Sequence, residues 1–248
     1  MVESLEALQS RLLETTSVEL KWQALRDFYG RMGADQINYG IIDTFVSDRF
    51  TAPVRFLSTM DPTWLDYYGE ERLDIHDPHV AFVRQGNLVP YVWGESVLGR
   101  LDHREQREAV AQTVEAGLRS QLSVTLPDPL GVGQPVGGLT IGSSLAERDY
   151  FSAIRGHEAI MIAAGLLFHH HCIGEIRRSH VGAKPLSARE KDCMILLAQG
   201  QRVTRIAEKL GLSEATVELH LRRARRKLGA VTTAQAVARA LIFGDIAS

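Results

Sequence analysis

The sequence predicts an α+β chain: an α-β-α sandwich followed by an all-α four-helix helix-turn-helix unit. Three observations carry this. Residues 1–173 mix helical and strand periodicities, with strand patterns flanked by helical ones at both ends. Residues 185–248 hold four short helical patterns and no strand pattern. Charge also changes sign along the chain, with 17 Lys and Arg against 24 Asp and Glu in residues 1–184, but 11 against 6 in residues 185–248. At 248 residues the chain fits two ordinary domains, 1–173 and 185–248, joined by the polar linker 174–184, GEIRRSHVGAK.

In the front domain, Leu5–Leu13 and Ser17–Met32 read as amphipathic helices, Ile37–Asp43 and Val54–Thr59 as strands, and Pro62–Glu71 as a helix. Leu101–Ala116 reads as a helix with solvated Arg and Glu residues. Ser120–Leu126 and Gly138–Ser143 read as strands joined through a turn rich in Pro and Gly, PDPLGVG. Ala153–His171 reads as one long helix.

In the rear domain, Ser187 opens a helix that runs to Gly200, Thr204–Leu210 forms a second, and Gly211-Leu212-Ser213 makes a tight turn. Ser213 is a suitable N-cap for the next helix, Glu214 suits its positive end, and Gly229 closes it. Val217, Leu221, Ala224 and Leu228 form its apolar stripe, with Arg222, Arg223, Arg225, Arg226 and Lys227 opposite. Thr232–Phe243 is an apolar helix that closes the core or forms a dimer contact. One buried side and five cations in six residues point to a polyanion, and the turn before the helix to a major-groove reader.

The run LSAREKDCMILLAQG, then IAEKLGLSEATVELHLRRARRKLGA and AQAVARA, resembles the DNA-binding domain of LuxR-type regulators over residues 185–243. Glu190, Gly200, Ile206, Ala207, Leu210, Ser213, Thr216, Val217, His220, Lys227 and Leu228 fall on the family pattern, and Met194 replaces a usual leucine. The resemblance implies binding to double-stranded DNA as a homodimer. Val217 and His220 are expected to face inward, leaving Glu218, Leu219 and Arg222 for base edges. Thr204, Thr216, Arg223, Arg225 and Arg226 are expected at phosphates.

Between Met60 and Trp93 the front domain concentrates aromatic rings and carboxylates. Trp64 and Tyr68 are four residues apart, on one helical face, and Asp77-Pro78 and Trp93 follow. Such a set either lines a small-molecule cavity or serves as ordinary aromatic core. The pattern WxxxY, DP, PYVW and EAGLRSQLSVTL resembles the autoinducer-binding domain of the quorum-sensing branch of LuxR-type proteins, weakly, over residues 15–172. Trp64, Tyr68, Asp77, Pro78, Trp93 and Gly117 match its positions. The resemblance implies an N-acyl homoserine lactone ligand, with Trp64 donating to the lactone carbonyl, Asp77 accepting from the ligand amide, and Tyr68 and Trp93 walling the site. Thr140 falls near an assisting strand position. Met60 stands where many members carry a tyrosine that bonds the acyl carbonyl, so Tyr39 is the expected substitute donor. His79 and Gln121 also depart from the pattern, in place of a small aliphatic residue and a glycine.

Other classes fit less well. Hydrophobic residues make up 45% of the chain and charged residues 23%, with no apolar run near the length of a membrane span. The N-terminus lacks a signal-peptide pattern, which places the protein in the cytoplasm, away from membranes. Cys172 and Cys193 are isolated and imply neither disulfide nor zinc site. His76-Asp77-Pro78-His79 and His169-His170-His171 lack the spacing of a metal site, so neither a metal, a cofactor nor catalysis is expected. A phosphorylated receiver domain would need regular βα alternation, which is missing. The alternatives left open are a ligand-independent or protein-regulated LuxR-type factor and, further off, a lactone-processing enzyme.

Overall fold

The computed structural model describes residues 4–42, 54–128 and 135–246. By internal contacts it divides into two units, Met1–His170 and His171–Ser248.

The first unit opens with α1 (Leu5–Glu14) and α2 (Val18–Gly30), whose N-cap hydroxyls, Ser4 and Ser17, accept from the backbone N–H groups of Ala7 and Leu20. β1 (Gln36–Ile42) and β2 (Val54–Ser58) follow, then α3 (Pro62–Glu70), capped by Asp61 with Pro62 in its first turn. The Asp43 end of the expected first strand lies outside the described residues. Next come α4 (Pro78–Arg84), β3 (Tyr91–Gly94), α5 (Arg104–Glu115), β4 (Ser120–Pro127) and β5 (Pro135–Ser143). Most of the expected PDPLGVG turn lies outside the described residues. Neither α4 nor β3 is among the elements expected from the sequence.

α6 (Glu147–Ile154) and α7 (Glu158–His180) replace the single helix expected over Ala153–His171. The break falls at Gly156, whose φ of +80° ends a helical run. α7 then continues through most of the expected linker 174–184. Only residues 181–187 separate it from the next helix. The polar linker composition conceals a packed helix end, with Ile173, Ile176 and Arg177 buried, and Arg177, Arg178 and His180 suit its negative pole.

The five strands form one antiparallel sheet in the order β2-β1-β5-β4-β3. Its two faces differ in chemistry. Ile37, Tyr39 and Ile41 of β1, Leu139 and Ile141 of β5, and Leu122, Val124 and Leu126 of β4 are buried. On this face the Tyr39 ring packs edge-on against Phe168 of α7, the Tyr29 hydroxyl donates to the Met161 carbonyl, and Tyr150 of α6 bonds the Ile141 carbonyl. A Cβ on Gly165 of α7 would collide with Leu139, so this glycine permits the close approach of helix to sheet. The opposite face carries Asn38, Gly40, Gln121, Ser123, Thr125, Gly138 and Thr140, which pair in register across β1, β5 and β4. α4 lies against it, with Val83 close to Gly138. Helices cover both sides, as an α-β-α sandwich requires.

Among the described helices, α7 has the length and hydropathy of a membrane span, at a mean of 1.3, contrary to the expectation that no such run exists. Packing accounts for part of this: Met161, Ala164 and Phe168 are fully buried within the first unit, while Leu166 is exposed.

The second unit contains α8 (Ala188–Ala198), α9 (Val203–Leu210), α10 (Glu214–Lys227) and α11 (Thr233–Ile242). Ser187 and Glu190 form a reciprocal capping box at the start of α8. Gly211, at φ +65°, makes the turn after α9, and Ser213 caps α10 through the Thr216 N–H. Leu186, Met194, Ala224, Leu228, Ala236, Ala240, Phe243 and Ile246 form one core cluster. A second joins Cys193, Ile206, Ala207 and Val217. Leu221 bridges both, so the predicted apolar stripe of α10 is what α8, α9 and α11 pack around.

Candidate functional site

A cavity opens between the polar face of the sheet and the α3–α4 layer. Its enclosed volume is about 70 Å³, or about 700 Å³ with the space toward solvent included. Met60, Trp64, Tyr68, Asp77, Trp93 and Thr140 all line it. Apolar walls come from Leu65, Val80, Val83 and Leu118, and Asn38, His79 and Gln121 add polar groups.

Local sequence explains this convergence. Trp64 and Tyr68 project from one face of α3, with ring centroids 6.0 Å apart and edge-to-face. Asp77 is the N-cap of α4: its Oδ1 accepts from the His79 N–H at 2.8 Å, and Pro78 occupies the first turn. Its Oδ2 accepts from the Tyr68 hydroxyl, also at 2.8 Å. The carboxylate is thus oriented from both sides and still retains acceptor capacity. Burial pushes the Tyr68 hydroxyl well above the ordinary phenol range, and the neighbouring Asp77 charge adds to this. Burial also lowers the His79 imidazole pKa, against the pull of Asp77, so its ring is held neutral.

Tyr39 is not at the cavity. It is 1% exposed on the opposite face of the sheet, and its hydroxyl bonds His169 Nδ1 at 2.8 Å while His169 Nε2 meets the Pro127 carbonyl at 2.9 Å. The reason is strand parity: Thr140 pairs with Asn38, so the neighbouring Tyr39 faces away. Beside Met60 stands Asn38, whose amide approaches Met60 Sδ at 3.4 Å and whose carbonyl accepts from Ser58. Asn38 and Gly40 were absent from the sequence expectations. Their polar, small character between Ile37, Tyr39 and Ile41 was the available signal.

The three consecutive histidines diverge along α7, and among the described residues no three His, Cys, Asp or Glu side chains converge as a metal site would require. The His76–His79 motif instead marks a helix start.

In the second unit, Thr204, Glu218, Arg222, Arg223 and Arg226 are exposed, while Thr216, Leu219 and Arg225 are half-buried. Val217 is buried and His220 half-buried. Thr216 Oγ1 lies 2.8 Å from Ser213 Oγ, within the cap of α10. Lys227 belongs to a different set from the four arginines: its Nζ donates to Glu190 Oε2 at 2.7 Å. Burial raises the Glu190 carboxyl, but Lys227 and the Ser187 N–H outweigh this and hold it below the usual range. Glu218, Arg222 and Arg225, at helical spacing, border a groove that also touches Leu197 and Thr233.

Residues 17–172 match the family described as autoinducer binding domain, and residues 184–240 match bacterial regulatory proteins, luxR family. The chain is 42% identical over 187 residues to the transcriptional activator protein VanR of Vibrio anguillarum, covering 74% of each. It is 28% identical over 185 residues to the quorum sensing-dependent transcriptional regulator RpaR of Rhodopseudomonas palustris, covering 74% of this chain and 71% of the other. In fold it resembles Escherichia coli SdiA, with a TM-score of 0.56, 17% identity and 98% of each chain covered. These matches are to transcription regulators, not enzymes. A cavity built on an autoinducer-binding sandwich, together with a helix-turn-helix unit, identifies the chain as a member of the LuxR family of autoinducer-binding, DNA-binding transcriptional regulators.

Proposed function

We propose that this protein is a cytoplasmic quorum-sensing regulator that takes an N-acyl homoserine lactone into the α3–α4 cavity and binds a pseudo-palindromic operator as a homodimer. The observation that carries the reading is the convergence of donor-only Trp64 and acceptor Asp77 on one cavity walled by Tyr68 and Trp93. A carbonyl beside an amide N–H satisfies that pair, since indole can only donate and an ionised carboxylate can only accept. Thr140 and Met60 line the same space, so in this reading they contact the ligand as well.

Drug-sized ligand sites are typically ~300–1,000 Å³, and the enclosed space here is about 70 Å³. An acyl-lactone therefore has to part the α3–α4 layer from the sheet to be buried. Its binding is linked to the stability of that layer, and excess ligand stabilises by mass action. The same small volume favours one second reading, a regulator that works without ligand and uses these rings as core.

On DNA, Glu218, Leu219 and Arg222 address base edges, and Thr204, Thr216, Arg223, Arg225 and Arg226 address phosphates. Two such helices in a dimer would read half-sites about one helical turn apart.

Thermal melting of the full chain against a panel of acyl-homoserine lactones separates the readings. A rise in melting temperature that Asp77→Ala or Trp64→Phe removes supports the sensor. No rise with any lactone, alongside sequence-specific DNA binding, supports the ligand-independent factor.

A further inference from the structure

β4 is buried on both faces, and period two divides it sharply. Leu122, Val124 and Leu126 belong to the apolar face. Gln121, Ser123 and Thr125 are turned to the cavity face, paired in register with Gly142, Thr140 and Gly138 of β5. Gln121 and Ser123 are each 1% exposed and Thr125 is 3% exposed. Yet Gln121 Oε1, Ser123 Oγ and Thr125 Oγ1 have no hydrogen-bond partner among the described residues, and neither does His79 Nε2 on the α4 side. Folded proteins leave few buried polar atoms without partners, so two that line one cavity, with two more beside them on β4, need an explanation.

Asp77 is a contrast. Its two oxygens already hold Tyr68 and the α4 backbone. His79 stands in the first turn of α4, and Gln121 sits opposite Trp93 in the β3–β4 register. Both line the cavity. Their polar atoms face the same space from sheet and helix, with Ser123 and Thr125 continuing the polar row along β4.

We propose that His79 and Gln121 form a second polar subsite that selects a ligand whose acyl chain carries a keto or hydroxyl oxygen over one with a plain hydrocarbon chain. This rests on the acyl-lactone reading above and sharpens it. A ligand hydroxyl can donate to Gln121 Oε1 and accept from a neutral His79 imidazole, and a keto oxygen can accept from the imidazole alone. A plain chain laid over them leaves Gln121 Oε1 and His79 Nε2 without partners and shut off from water, which disfavours it. Water held between these groups is the competing explanation, and it predicts no preference.

The test measures melting shifts and dissociation constants of the full chain with butanoyl, octanoyl and dodecanoyl homoserine lactones, each as plain, β-keto and β-hydroxy forms. At the best chain length, an oxygenated form should bind about tenfold tighter than the plain one, as one or two recovered hydrogen bonds would give. Gln121→Met and His79→Leu should each bring that ratio to within about twofold. In the absence of ligand, Gln121→Met should melt no lower than the wild type, because it removes a buried polar atom that has no partner. Equal binding of plain and oxygenated forms, a preference that survives in both variants, or a clear drop in ligand-free melting for Gln121→Met would overturn the subsite and leave the lactone reading standing. No shift with any of the nine compounds overturns the lactone reading itself, and the subsite with it.

Discussion

The Tyr68 hydroxyl donates to Asp77 Oδ2 at 2.8 Å while the other oxygen of the same carboxylate caps α4. One side chain therefore starts a helix and, in the proposed function, meets the ligand. The two roles separate by substitution. Beyond the lost bond from Tyr68, Asp77→Ala should lower the stability of the ligand-free protein by about 1 kcal/mol through loss of the cap. Asp77→Ser, which keeps a capping oxygen, should restore most of that stability without restoring the lactone-induced melting shift. Melting curves of both variants with and without ligand check this.

His79 makes the first unit sensitive to acid. Its folded pKa lies below the ordinary 6.5 because burial disfavours the imidazolium. Below that value the unfolded chain takes up a proton that the folded one refuses, so stability falls as pH drops from 6.5 toward the folded pKa. Above it, both states are neutral and His79 contributes no slope. Melting temperature measured from neutral to mildly acidic pH should therefore decline less steeply in His79→Leu than in the wild type.

In the second unit, Glu190 is 3% exposed and depends on Lys227 and the Ser187 N–H. Lys227→Met should destabilise this unit by about 1–3 kcal/mol, because a buried carboxylate loses a partner. The effect should appear as faster amide hydrogen exchange in α8 and α10. Glu190 has a lowered pKa, so the stability it contributes is present above its ordinary 4.5 and is lost as pH falls through the folded value. The variant should show a shallower acid dependence in that window.

Arg222 and Arg226 are both exposed on α10, but they are assigned different tasks. Arg222→Ala should cost about 1–3 kcal/mol on the preferred operator and relax sequence preference. Arg226→Ala should weaken binding to all duplexes alike and reduce the slope of affinity against salt by about one. Binding titrations on specific and random DNA at several salt concentrations distinguish them. Equal losses on both DNAs for Arg222→Ala would overturn its assignment.

The second unit was legible because its signals are local. The Ser187 and Ser213 caps, Gly211 in its left-handed turn and the stripe from Val217 to Leu228 each act within a few residues. The cavity was less legible. Trp64, Tyr68, Asp77 and Trp93 came from a motif resemblance, but Tyr39 failed because its direction depends on pairing with a strand a hundred residues away. α4 was overlooked although Asp77-Pro78 is an N-cap followed by a proline suited to a first helical turn. Neither the enclosed volume nor the partnerless atoms of Gln121 and His79 is a property of any short stretch. They exist only once β4 and α4 face each other.

The alternation along β4 has an evolutionary consequence. Leu122, Val124 and Leu126 contribute to the hydrophobic packing of the sandwich, while Gln121, Ser123 and Thr125 contribute little to it. In the proposed subsite, substitution of Gln121 would change which ligand is favoured while the apolar face of β4 keeps its side chains. Under that proposal, taste in ligand and solidity of the sandwich are written on alternate residues of one strand, so a lineage could revise the first without rewriting the second.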